Sequence, residues 1–136
     1  TFHRVIAKFM IQGGGMTVQG AEKPAKNSVV NEAKLASEKG LKNVRGSLAM
    51  ARTSEPHSAK AQFFVNVVDN AFLDYPGRDG WGYCVFGKVV EGMETVDAIK
   101  DVKTGAGDKP LKPVVITAAA VEGDKAPAKR KAPRKK

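Results

Sequence analysis

Residues 2–15, FHRVIAKFMIQGGG, decide how this chain is read. Aromatic and β-branched residues give two short strands, 1–6 and 9–14, joined at Ala7-Lys8 as an antiparallel hairpin. Alternation places Met10 and Gln12 on one face of the second strand, and Phe9 and Ile11 on the other. Arg4 breaks the pattern. A guanidinium beside Phe2, Val5 and Ile6 is costly to bury unless it is paired or used.

Outward from the hairpin, residues 13–46 are polar and glycine-spotted. They read as one long excursion with at most short strands, such as SVVNEA at 28–33. GSLAMAR (46–52), QFFVNVV (62–68) and YCVFGKVV (83–90) are strand candidates, separated by turn-rich loops at 53–61 and 69–82. Met93, Val96, Ile99 and Val102 recur at three-residue spacing and predict a single helix. KPVVITAAAVEG (112–123) predicts a final strand, with Pro113 at its start, where proline is tolerated. The sum is a mainly β chain of the sandwich or barrel kind.

The chain has 136 residues and a hydrophobic content of 42%, enough for one domain with a modest core. No apolar run approaches the length of a membrane-spanning helix. The net charge is +9, and residues 124–136 hold seven Lys/Arg against one Asp, so they supply two-thirds of it. We therefore divide the chain into a folded domain, 1–123, and a disordered basic tail, 124–136. Cys84 is the lone cysteine and cannot form an internal disulfide; it reads as a small core residue on a strand.

Several chemistries find no support. GGG at 13–15 lacks the Lys and Ser/Thr of a phosphate loop. His3 and His57 lie far apart without a third ligand, so no metal site is expected. Ser58 beside His57 is adjacency, not a triad. No cofactor is called for, and any catalysis would proceed by strain and electrostatics without a covalent bond to substrate.

Four stretches, FHRVIAKFMIQGGG, LAMAR, AQFFVNVVDNAFLD and GWGYCVFGKVVEGMETVDAIK, resemble the cyclophilin-type peptidyl-prolyl cis-trans isomerases over residues 1–122, in the family's order. NEA at 31–33 and the motif around Tyr83 resemble the bacterial branch. The resemblance implies an eight-stranded antiparallel β-barrel capped by two helices. Two strands and the first helix of that pattern would precede residue 1, leaving one helix here. Such an open barrel is expected to be poorly stable alone or to borrow a strand.

The resemblance also implies roles. Arg4 is the catalytic residue and Gln12 holds it. Phe9, Met10, Phe64 and Leu73 form the proline pocket, with Phe64 as its floor. Gln62 and the backbone at Ala51 and Arg52 bind the flanking peptide. His3 is a structural neighbour of Arg4. Phe63 packs in the core, and Trp81 anchors a loop. Phe72 stands where many eukaryotic members carry tryptophan; it has no N–H to donate, so weak cyclosporin binding is expected. Tyr83 replaces a pocket histidine. Arg52 replaces a frequent asparagine and suggests tolerance of acidic peptides.

The expected substrates are proline-containing segments of unfolded or nascent proteins, met by a cytoplasmic protein, with the periplasm as the alternative location, that is monomeric when complete and does not engage membranes. The basic tail would contact nucleic acid or the ribosome without reading sequence. A proline-peptide binding module without catalysis, or a protein dominated by its tail, are the alternatives.

Overall fold

The computed structural model describes residues 1–122. The end of the domain at residue 123 and the basic tail, with its expected disorder and polyanion contacts, lie outside them. Five strands form one antiparallel sheet: β1 (Phe2–Ile6), β2 (Met10–Gly13), β3 (Ser47–Met50), β4 (Phe63–Asn66) and β5 (Val85–Lys88). Their order is β1-β2-β4-β3-β5, so β1 and β5 stand at the edges and the sheet is open rather than a closed barrel.

The expected hairpin forms, with Val5 opposite Ile11 and Ile6 opposite Met10. Its connection runs one residue longer than Ala7-Lys8. Phe9 lies in the turn, its N–H donating to the Ile6 carbonyl at 2.9 Å. Strand alternation therefore does not govern Phe9, which packs on the same side as Met10 instead of opposite it. The pairing of Phe2 with Gly13 and of Arg4 with Gln12 leaves His3 as an extra residue, a β-bulge. The bulge resets the alternation just before Arg4. Arg4 then stays exposed on one face while Val5 is buried on the other.

The two faces of the sheet carry two cores. Met10, Ala49, Phe64, Leu73 and Val85 pack on one. Val5, Ile11, Val65 and Val67 pack on the other, covered by half-buried Val96, Ile99 and Val102. Phe64 and Val65 fall into different cores because successive strand residues point to opposite faces. Phe63 joins the second core and meets Phe2 edge-on, ring centroids 6.0 Å apart.

The predicted helix is α2 (Met93–Lys100). Arg45 grips its outer face through a bidentate ion pair with Asp97 at 2.7 and 2.8 Å.

Three expectations are corrected. A second helix exists: α1 (Ala33–Glu38) lies within the excursion read as short strands. Six residues are too few for a helical period to stand out. Its ends are nonetheless well defined. Asn31 Oδ1 accepts the Ala33 N–H at 2.8 Å. At the other end the Gly40 and Leu41 N–H groups return to the Ser37 and Ala36 carbonyls. Of SVVNEA only Val29 makes a β-bridge, to Ala59. Residues 112–122 form no strand. The Phe2 N–H donates to the Val114 carbonyl at 3.0 Å, but one such bond does not build a ladder. Val115 and Val121 are accordingly exposed. Cys84 is half-buried immediately before β5 rather than on a strand, and burial pushes its thiol pKa up.

Candidate active site

The first core closes the bottom of an open groove of about 510 Å³. Arg4, Phe9, Met10, Gln12, Ala51, Arg52, Phe64, Phe72, Leu73 and Tyr83 line it. Ten of the eleven site residues read from the sequence thus converge on one cavity. Gln62 does not line it; it sits in the adjoining depression and reaches the groove through Gln12.

Each element supplies its part by ordinary strand geometry. Gln12 on β2 faces Arg4 on β1 and Phe64 on β4. Gln62 Oε1 accepts from Gln12 Nε2 at 2.8 Å, and Gln12 Oε1 accepts a long 3.4 Å hydrogen bond from Arg4 Nη1. The chain Gln62–Gln12–Arg4 orients the guanidinium and leaves it exposed to the groove. Gly15 makes room for this chain: a Cβ there would lie 2.5 Å from the Gln62 side chain.

Phe64 and Met10 are almost fully buried, so the bottom of the groove is apolar. Phe72 is half-exposed and stacks on Phe9, centroids 5.8 Å apart and planes 22° apart. Tyr83 meets Phe64 edge-on at 5.9 Å. Burial, then the cations of Thr1 and Arg4, hold the His3 pKa below its ordinary value. Its Nδ1 is buried without a partner among the described residues.

Arg52 has a use the sequence did not show. Its side chain is only 2% exposed. Nη2 donates to Asp79 Oδ2 at 2.8 Å and to the Gly82 carbonyl at 2.7 Å. Nη1 donates to the Thr53 carbonyl, and the guanidinium carbon lies 4.3 Å from the Tyr83 ring centroid. Arg52 therefore clamps the end of β3 to the 79–83 loop, and its charge is spent internally. The tolerance of acidic peptides expected from Arg52 has no basis in this geometry. Gly82, at φ +74°, is where the loop must pass close to its neighbours; a Cβ would lie 2.6 Å from the Tyr75 nitrogen. Trp81 anchors this loop edge-on against His57 at 4.7 Å.

The Arg52 hydrogen bond, followed by the Gly82 and Trp81 N–H groups, lowers the Asp79 pKa from 3.8 to about 2. A carboxylate with a depressed folded pKa adds stability above its unfolded pKa and loses it as pH falls through the folded one. Wild type is therefore expected to be more stable than Asp79→Asn at pH 7. The advantage should fade between about pH 4 and about pH 2. Denaturant midpoints of the two proteins across that range check this, and a difference independent of pH would contradict it.

A polar network buried behind the groove was equally invisible in the sequence. Asn66 is completely buried; its Nδ2 donates to Asn43 Oδ1 and Ser47 Oγ, both at 2.9 Å. Its Oδ1 accepts from Asn70 Nδ2 at 2.7 Å, and the same Nδ2 donates to the Phe9 carbonyl. Asn43 in turn donates from its backbone and its side chain to Asp74 Oδ1, at 2.7 and 2.9 Å. The network fastens the 3₁₀ turn Ala71–Leu73, which carries Phe72 and Leu73, to β4 and to the Phe9 turn.

An apolar slot thus lies beside an exposed, oriented guanidinium on one face of an antiparallel sheet. The family model described as cyclophilin type peptidyl-prolyl cis-trans isomerase matches residues 1–121. The chain is 54% identical to peptidyl-prolyl cis-trans isomerase B of Escherichia coli, over 88% of this chain and 74% of that protein. It is 52% identical to a peptidyl-prolyl cis-trans isomerase of Streptomyces antibioticus, over 90% of this chain and 75% of that one. A crystal structure of a Cryptosporidium parvum cyclophilin type isomerase superposes with TM-score 0.62 at 26% identity. It covers 82% of this chain, which spans 65% of that one. The same protein in the presence of the dipeptide Ala-Pro gives 0.61 at 27% identity. The chain belongs to the cyclophilin-type peptidyl-prolyl cis-trans isomerases.

Proposed function

We propose that this chain accelerates rotation about the peptide bond preceding proline, with Arg4 as the catalytic residue. The observation that supports this reading is the placement of the Arg4 guanidinium beside the Phe9–Met10–Phe64–Leu73 slot in one groove. The barrier to rotation is amide resonance, about 18–20 kcal/mol, which makes uncatalysed exchange take tens of seconds or more. In the twisted state the prolyl nitrogen regains a lone pair. A guanidinium N–H donating to that nitrogen favours the twisted state over the planar one, and only such differential binding accelerates the step. No bond to carbon forms or breaks, so no nucleophile is required. The slot holds the proline ring by apolar contact while the preceding residue turns. The backbone at Ala51 and Arg52 and the side chain of Gln62 hold the flanking peptide. The substrates are proline-containing segments of unfolded or nascent proteins.

The test is exchange NMR on an Ala-Pro peptide, the ligand class present in the Cryptosporidium protein's second structure. Catalytic amounts of the chain should broaden the cis and trans signals. Peptide binding with no change in exchange would instead mark a binding module.

Phe72 lines the groove and offers no donor to an inhibitor. We expect weak cyclosporin inhibition and, in Phe72→Trp, binding tightened by roughly one hydrogen bond, about five- to tenfold. Inhibition titrations that coincide for the two proteins would remove Phe72 as the determinant.

A further inference from the structure

We propose that Arg78 is a specificity-determining residue that makes the groove prefer proline segments carrying a carboxylate side chain next to the proline. The inference rests on the isomerase reading above and names its substrate class.

The groove is lined by three arginines, Arg4, Arg52 and Arg78, and by a single acid, Asp79. Arg52 and Asp79 neutralise each other at 2.8 Å, and the Arg52 side chain is closed to solvent. Two cations are left over. Among the described residues neither Arg4 nor Arg78 forms an ion pair. Arg4 is held by Gln12 for the prolyl amide. Arg78 is exposed at the rim, its guanidinium carbon 5.8 Å from the Phe72 ring centroid. Phe72 itself stacks on Phe9, so Phe9, Phe72 and Arg78 form three successive layers of one groove wall.

This arrangement suits recognition of an anion. A guanidinium set over an aromatic ring keeps its N–H donors available, and their planar fork matches a carboxylate. The neighbouring residue keeps the loop in place: Asp79 Oδ1 accepts the Trp81 and Gly82 N–H groups while Oδ2 holds Arg52. Arg78 is therefore presented from a pinned segment. A peptide with its proline ring in the slot would carry the adjoining side chain past the Phe72 wall. An acid there gains a partner that an amide of the same shape does not.

The test uses the full chain and two pairs of short proline peptides. One pair has Asp or Asn immediately before proline, the other immediately after. Affinities are read by NMR titration in about 10 mM salt and about 1 M salt, where the screening length falls from about 30 Å to about 3 Å. Exposed ion pairs are weak, so the expected preference for Asp over Asn is about three- to fivefold in one of the two positions at low salt, collapsing at high salt. Arg78→Gln should abolish the preference and Arg78→Glu should reverse it. Because the ratio is taken within each protein, a general change in affinity does not affect it. Equal binding of Asp and Asn peptides by wild type, or a preference that survives Arg78→Gln, would overturn the inference and leave the isomerase reading intact. Failure to bind any of the four peptides would overturn both.

Discussion

Arg4→Ala should lower catalysed exchange of an Ala-Pro peptide by about 10²–10³-fold, the usual cost of removing one preorganised donor to a transition state. The loss should fall on the rate more than on affinity. In the proposed mechanism the twisted nitrogen depends on the Arg4 donors, whereas proline binding rests on apolar contact with the slot. Arg4→Lys should recover little of the loss. An ammonium is a compact point charge without the planar fork, and it would lose the geometry imposed by Gln12. Arg4 is exposed and makes one long hydrogen bond, so its removal should leave the fold intact. Exchange rates and peptide affinity measured on the same variant, with its denaturant midpoint as the control, settle the point. A variant with wild-type exchange rates would remove Arg4 from the mechanism.

Asn66→Ala should be the most damaging change away from the groove, destabilising the protein by about 2–4 kcal/mol. The side chain makes three hydrogen bonds at complete burial. Truncation strips the buried Asn43 Oδ1 of its side-chain donor. A loss of that size is a large fraction of the 5–15 kcal/mol typical of a domain. The damage should also reach the site. Asn70 would lose one of its two anchors and with it the tie between Phe72, Leu73 and β4. We expect a lower denaturant midpoint with unchanged slope. Hydrogen exchange at the Leu73 amide, which donates to the Asn70 carbonyl, should accelerate as well. A shift below about 1 kcal/mol would mean that the network is satisfied from elsewhere.

The readable parts of the fold were those governed by local periodicity. The hairpin, the strands at 46–52, 62–68 and 83–90, and the helix face at 93, 96 and 99 each repeat a pattern long enough to recognise. α1 leaves no legible period in the sequence, because six residues complete fewer than two turns. The strand expected at 112–123 had the right composition, but a strand exists only with a partner alongside, and residues 112–122 have none among the described residues. Strand alternation does not give the face of Phe9, because Phe9 lies in the turn.

The site divides in the same way. Arg4, Gln12, Phe9, Met10, Phe64 and Leu73 could be named in advance because they sit in motifs that resemble a known family. The sequence could not show that a bulge at His3 aims Arg4 into the groove, since a bulge is defined by the opposite strand. Nor could it show that Arg52 is consumed by Asp79, 27 residues away, or that Arg78 is the cation left at the rim. Asn43 and Asn70 look like ordinary loop residues, and Asn66 like a polar residue at a strand end, until their segments meet. By itself, then, the sequence determined the apolar alternation that makes the sheet two-faced and the residue types that make a proline slot beside a guanidinium. The tertiary structure alone decided which charges are neutralised, which remain available, and how firmly the groove wall is held. Those properties depend on distances between residues far apart in the chain, and pairing at that range is set by the packed whole rather than by any local pattern.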